Sequence, residues 1–169
     1  MPLDSIQASV IAPALALLPA KMSGSRATVM LLAIGLQESG FTQRCQINGP
    51  ARGLWQFEQG GGISGVLRYP TTQALAISVC QAEGVTPLPS AVYSALATND
   101  ILAAVFARLL LWTDPAPLPA LGDADTAWEV YTSVWRPGAL ARDPDGLRAR
   151  WATNYAAALA QVQQQVTPA

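Results

Sequence analysis

Residues 27–36 read Ala-Thr-Val-Met-Leu-Leu-Ala-Ile-Gly-Leu, with no charged side chain, and Gln37, Glu38, Ser39 and Gly40 follow. At helical spacing this stretch is apolar on nearly every face. A helix of that kind is stable in water only when other elements cover it on all sides. The spacing predicts a central buried helix over Ser25–Glu38. Gly40 is placed to end it, because glycine accepts the left-handed conformation common just past a helix terminus.

The rest of the chain favours helices as well. Alanine is abundant, and no alternation of period two lasts long enough for a convincing strand. A helix from Ser5 to Leu18 is expected to bend near Pro13. Thr71–Glu83 is closed by Gly84, and Ser90–Ala97 is short. Asn99 is placed to cap an apolar helix running to Trp112. A helix over Thr126–Trp135 carries Thr126 and Glu129 at capping-box spacing. Asp143-Pro144 opens a last helix whose apolar stripe is Leu147, Trp151, Tyr155, Leu159 and Val162. Between Phe41 and Pro70 the chain is rich in Gly, Gln and Asn. It reads as irregular, with a short helix near Trp55 at most or a small β-hairpin. The fold class expected is all-α.

A length of 169 residues, 51% of them apolar, suits one domain with a sizeable core. That domain is taken as residues 1–169, with residues 1–24 a helix packed onto it and residues 164–169 a frayed tail. The apolar stretch Ile6–Ala20 is broken by two prolines, lacks a basic flank, and is too short for a bilayer span, so neither a signal peptide nor a membrane helix is read there. Charged residues are 12% of the chain and the net charge is −1, which argues against electrostatic capture of nucleic acid.

Histidine is absent, which excludes Ser-His-Asp and Cys-His catalysis and removes the commonest zinc ligand. Acid–base chemistry then falls to carboxylates, Tyr, Lys or Cys. Cys45 and Cys80 are too few for a disulfide framework. They read as two separate thiols, with a single bridge as the alternative.

Glu38 is the sharpest chemical feature. At helical spacing it lies over Ile34 and Gly35, so an apolar neighbour and a missing side chain frame a dry niche with room for a ligand. Desolvation there would keep its proton on near neutrality, as a general acid for glycosidic cleavage requires. The plain alternative is a surface glutamate with its head in water.

Glu38-Ser39-Gly40-Phe41 is followed by Gly53-Leu54-Trp55-Gln56-Phe57, with Gln56 eighteen residues after Glu38. This pattern resembles the soluble lytic transglycosylase and goose-type lysozyme superfamily, where a helix ends in Glu-Ser-x-Phe and a Gly-Leu-Met-Gln segment follows at about this distance. Trp55 stands where that family usually has Met. Asn99–Leu110 and Trp128-Glu129-Val130-Tyr131 resemble later family helices, so the likeness covers roughly Ala27–Gly138. Residues 53–62 and Trp135-Arg136-Pro137-Gly138 resemble phage-encoded members.

The resemblance implies a lysozyme-like fold and cleavage of peptidoglycan between N-acetylmuramic acid and N-acetylglucosamine. Glu38 would be the acid, then the base toward the sugar C6 hydroxyl, giving a 1,6-anhydro product. Ser39, Trp55, Gln56, Phe57 and Tyr131 would meet the glycan or the acid, with no metal or cofactor. Trp55 and Phe57 read equally well as core aromatics, Tyr131 as a core residue with a bonded hydroxyl, and Gln56 as a backbone-satisfying amide. Two positions depart from the family: Ile47 stands where a Ser is common, and Thr132 follows Tyr131 where Asn is common. They motivate the alternative of a non-catalytic phage virion or assembly protein with a lysozyme-like scaffold that binds glycan or a partner, phage virion components among the candidates. A phage-encoded protein acting in the periplasm or at the cell wall would need no signal peptide.

Other residues are open to either reading. Glu58 and Asp114 are candidates for a second carboxylate, whereas Asp123 and Asp125 fit helix entry. Gly60-Gly61-Gly62 lacks the Gly-Lys-Ser/Thr of a phosphate loop and reads as a cleft lip or a plain turn. Arg44 and Arg52 are placed to flank the cleft and meet anionic groups. Arg136 fits compensation of a helix C-terminus.

Overall fold

The structure, a computed structural model, describes residues 1–166. It is all-helical. Among the described residues, β pairing is confined to two isolated antiparallel bridges, Cys45 with Arg52 and Arg52 with Phe57. The hairpin considered for this segment therefore reduces to a pair of bridged turns.

The first helical stretch is three segments end to end: α1 (Leu3–Ile6), a π-type stretch Gln7–Ile11, and α2 (Ala12–Ala16). Pro13 lacks an N–H and its ring crowds the carbonyl four residues back. The wider π register just before it relieves that crowding without breaking the helix. Helix α3 (Ser25–Ser39) is the central one, with every residue from Ala27 to Gly35 buried. Gly40 ends it at φ +59°, and its N–H donates to the Leu36 carbonyl at 3.1 Å.

The segment from Phe41 to Phe57 is a run of turns, without the short helix considered near Trp55. A π-type turn Gln59–Ile63 then leads into α4 (Ser64–Arg68), which the glycine-rich composition concealed. Burial of Ile63, Val66 and Leu67 outweighs the poor helix propensity of the glycines.

Helix α5 (Gln73–Ala82) is followed by Gly84 at φ +67°, and α6 (Pro89–Ala95) carries Pro89 in its first turn. Helix α7 (Asp100–Leu111) is capped by the Asn99 side chain, which accepts the Leu102 N–H at 2.8 Å. Packing against α2, α3, α4, α5 and α8, it is the second axis of the core.

Helix α8 (Ala124–Trp135) is capped by Asp123, whose carboxylate accepts the Thr126 N–H at 3.1 Å. The expected capping box of Thr126 and Glu129 is thus replaced by an aspartate three residues earlier, whose shorter side chain reaches the same orphan donor. Helix α9 (Pro144–Val166) lies along α3. Leu147, Trp151, Tyr155 and Val162 are buried, while Leu159 is half-buried and its neighbour Ala158 takes the core position. The helix takes in residues 164–166 of the stretch expected to fray, and residues 167–169 lie outside the described residues. Among the described residues no helix is long and apolar enough to cross a membrane. Cys45 is exposed and Cys80 is buried, and both are free thiols.

Candidate active site

Glu38 sits in the last turn of α3, where the helix emerges from the core into a groove of about 990 Å³. That volume lies at the upper end of the ~300–1,000 Å³ common for ligand pockets. Burial raises the Glu38 pKa to about 7, against the smaller opposing effect of a hydrogen bond from Tyr131. The Tyr131 hydroxyl donates to Oε1 at 2.7 Å. Tyr131 itself is buried on α8 and stacks face to face on Trp151 of α9, with centroids 4.7 Å apart and an interplanar angle of 9°. Its own hydroxyl is held well above the usual phenol range by burial first and by the Glu38 charge second. It therefore stays a donor.

The niche behind Glu38 differs from the one expected. A Cβ on Gly35 would collide with the Phe41 ring, so the missing side chain is used for packing rather than for a ligand. Phe41 is in the left-handed region at φ +54°, which turns its ring back onto the helix it follows. Trp55 meets that ring edge-on, with centroids 5.7 Å apart.

Ser39 is a brace rather than a glycan contact. Its hydroxyl donates to the Leu54 carbonyl at 2.6 Å and accepts the Phe41 N–H at 3.1 Å. The segment Gly53–Phe57 is fastened further by Trp55, whose indole N–H reaches the Leu31 carbonyl at 2.9 Å. On the other side, the Trp135 indole donates to the Trp55 carbonyl at 3.1 Å. Three elements are thereby fixed to one another: the end of α3, the 53–57 turn, and α8 with Tyr131.

Trp55 is fully buried and does not line the groove, which corrects its reading as a glycan contact and leaves that of a core aromatic. Its size and its indole donor are used against α3 instead. Phe57 does line the groove although it is almost wholly buried, and packs on Phe106 and Trp135. Gln56 lines it too, with its backbone at φ +51°, while its amide Nε2 donates to the Gly53 carbonyl at 2.8 Å. The backbone role and the groove position coincide in one residue.

Two further carboxylates, Glu58 and Asp114, share the groove. Gly61 and Gly62 form part of its lip, and Gly62 is packed so closely on the Phe57 ring that a Cβ there would clash. Arg44 and Arg52 do not line the groove, although their neighbours Gln43 and Ala51 do. Arg44 is engaged with Asp100 through two hydrogen bonds of 2.9 and 2.5 Å. Arg52 donates to the Gly49 and Ala51 carbonyls and lies over the Tyr93 ring.

The cations that do line the groove are Arg136, Arg142 and Arg150. Arg136 also donates from Nε to the Ser133 carbonyl at the end of α8, in keeping with its expected helix-end role. Arg150 lies 3.5 Å from Asp143, and among the described residues Arg136 and Arg142 make no ion pair. A sequence signal existed: four of the chain's ten Lys and Arg fall within residues 136–150. Three of the four line the groove while Arg148 pairs with Asp125, and bringing Arg150 there depends on how α9 lies along α3, which no local pattern encodes. Ile47 is exposed and Thr132 bonds back to the Trp128 carbonyl, and neither lines the groove. Among the described residues no three Cys, Asp or Glu side chains converge as metal ligands.

A buried acid that holds its proton near neutrality, oriented by a tyrosine and facing a large groove with a cationic flank, can protonate a leaving oxygen. No family model matches the chain, and neither a curated protein nor a solved structure shows significant similarity to it.

Proposed function

We propose that this chain is a glycan-cleaving enzyme of the lytic transglycosylase type, acting on bacterial peptidoglycan. The observation that carries the reading is the Glu38 carboxyl, raised to about 7 and bonded by Tyr131 in the wall of a large groove. The lysozyme-like likeness of the Glu38–Phe41 and Gly53–Phe57 segments supplies the substrate. The three groove arginines suit the lactyl and peptide carboxylates of that polymer.

Tyr131 donating to Oε1 leaves Oε2 as the proton-bearing oxygen. Oε2 gives its proton to the glycosidic oxygen as the C1–O bond breaks. The substrate's N-acetyl group stabilises the cationic centre. The Glu38 carboxylate then takes the proton of the C6 hydroxyl as O6 bonds to C1. Glu38 ends protonated, no water is consumed, and the product carries a 1,6-anhydro ring. A hydrolytic variant is the second reading, favoured by the presence of Glu58 and Asp114 in the same groove.

Digestion of purified peptidoglycan followed by mass spectrometry tests both. Anhydro ends, lighter by one water than hydrolysed ends, are the expected product, and Glu38→Gln should lower the rate by about 10²–10⁴. Reducing ends that disappear in Glu58→Gln or Asp114→Asn would establish the hydrolytic variant. Full activity in Glu38→Gln would remove Glu38 from the mechanism.

A further inference from the structure

A second cavity, of about 690 Å³, opens at the other end of α3. The loop residues Thr113 and Asp114 line both this cavity and the groove, and so divide them. Its rim includes Ser23, Gly24, Ser25 and Arg26, the start of α3. That fifteen-residue helix begins without a side-chain cap and without an acidic residue in its first turn. Its first N–H groups, and the positive end of its dipole, are therefore uncompensated. Arg26, in the same turn, adds a like charge.

The independent observation is Arg108. Only 2% of this residue is exposed, and it is buried in α7 with no carboxylate partner among the described residues. Its Nε donates to the Met22 carbonyl at 2.6 Å, while its Nη1 is buried with no hydrogen-bond partner among those residues. The guanidinium lies over the Trp112 ring at 5.0 Å and lines the cavity, and Lys21 approaches the same ring at 5.5 Å. A buried guanidinium with a free donor is costly unless an acceptor arrives. Burial already lowers its pKa to about 10. Among the described residues Asp114 is the one acid in the cavity lining, and its Oδ1 accepts the Ala116 N–H of its own loop. Tyr69, Leu111, Trp112, Pro117 and Leu118 give the cavity an apolar wall.

We propose that this cavity is a binding site for a small organic anion, a phosphate or carboxylate head joined to an apolar body. The head is taken by the first N–H groups of α3 and by Arg108, and the body lies between Tyr69, Trp112 and Leu118. The site shares only the loop residues Thr113 and Asp114 with the glycan groove, and its test does not use activity.

Amide and indole NMR of the full chain, titrated with phenyl phosphate, benzoate, inorganic phosphate and phenol, tests it. Phenyl phosphate or benzoate should move the amides of Ser25, Arg26 and Ala27 together with the Trp112 indole, at least tenfold more tightly than inorganic phosphate. Phenol should leave those amides in place. Arg108→Met should abolish the response. Arg26→Gln, an exposed substitution that leaves the core untouched, should weaken it severalfold and serves if the Arg108 variant does not fold. Absence of any saturable shift in the wild-type chain would overturn the proposal, as would phenyl phosphate shifts that persist undiminished in Arg26→Gln. Preference between phenyl phosphate and benzoate identifies the head group.

Discussion

Glu38 concentrates the chemistry of this chain in one carboxyl group, and its cost can be read as stability. Its folded pKa of about 7 lies above the ordinary value of 4.5, so the folded state binds more protons than the unfolded one between those limits. Stability should therefore be greatest below about pH 4.5 as far as this group is concerned, and fall as pH rises toward 7. The loss is on the order of 3–4 kcal/mol, because each tenfold change in a proton-binding constant is worth about 1.4 kcal/mol. Glu38→Gln removes the penalty, so thermal melts at about pH 8 should place its Tm above wild type, with the difference vanishing near pH 4.5. Tyr131→Phe acts oppositely on the acid. It deletes the bond that favours the carboxylate, so the falling limb of the pH–rate profile should move to higher pH while the rate drops. A profile unchanged by Tyr131→Phe would mean that the bond has no hold on the acid. At this scale the sequence is only partly legible. Glu38 is readable because it closes an apolar helix, whereas Tyr131 is readable only through the resemblance of residues 128–131 to a family helix. Trp55 is not, because an aromatic in an irregular segment gives no sign of which side it faces.

Among the elements, the junction of α3 with the 53–57 turn decides where Glu38 points. Gly35→Ala would drive a methyl group into the Phe41 ring, and overpacking of this kind costs about 1–3 kcal/mol. Denaturant melts should show that loss, and activity should fall by more than the stability change accounts for, since the Phe41 N–H is bonded to Ser39, the residue next to Glu38. Arg136 ends α8 in the left-handed region at φ +50°, a conformation that costs a non-glycine residue about 1 kcal/mol or more. Arg136→Gly should thus be no less stable than wild type in the same melts. The helices themselves are legible where apolar periodicity is long, as in α3, α7 and α9. Helix α4 is not, because three glycines precede it and only tertiary burial of Val66 and Leu67 makes it form. The α8 entry is legible in Asp123, which fits helix entry by sequence, but Thr126 is an equally competent cap and only geometry selects between them.

The whole molecule is organised about α3, with an acid in a groove at its C-terminal end and an uncapped N-terminus over a second cavity. Bringing Arg142 and Arg150 into the same groove as Glu38 requires α9 to lie along α3, a long-range arrangement no segment announces by itself. If those arginines receive carboxylates of the polymer, Arg142→Gln with Arg150→Gln should raise KM severalfold on peptidoglycan and leave neutral chitin-type oligomers unaffected; equal effects on both substrates would count against that role. The proposed mechanism depends most directly on the protonation of one group. Carbon-13 NMR of the Glu38 side-chain carboxyl, assigned by its loss in Glu38→Gln and followed from about pH 3 to about pH 9, spans both the ordinary and the raised range. A midpoint near 7 is the result predicted. A midpoint in the ordinary glutamate range, about 4.3, would contradict it.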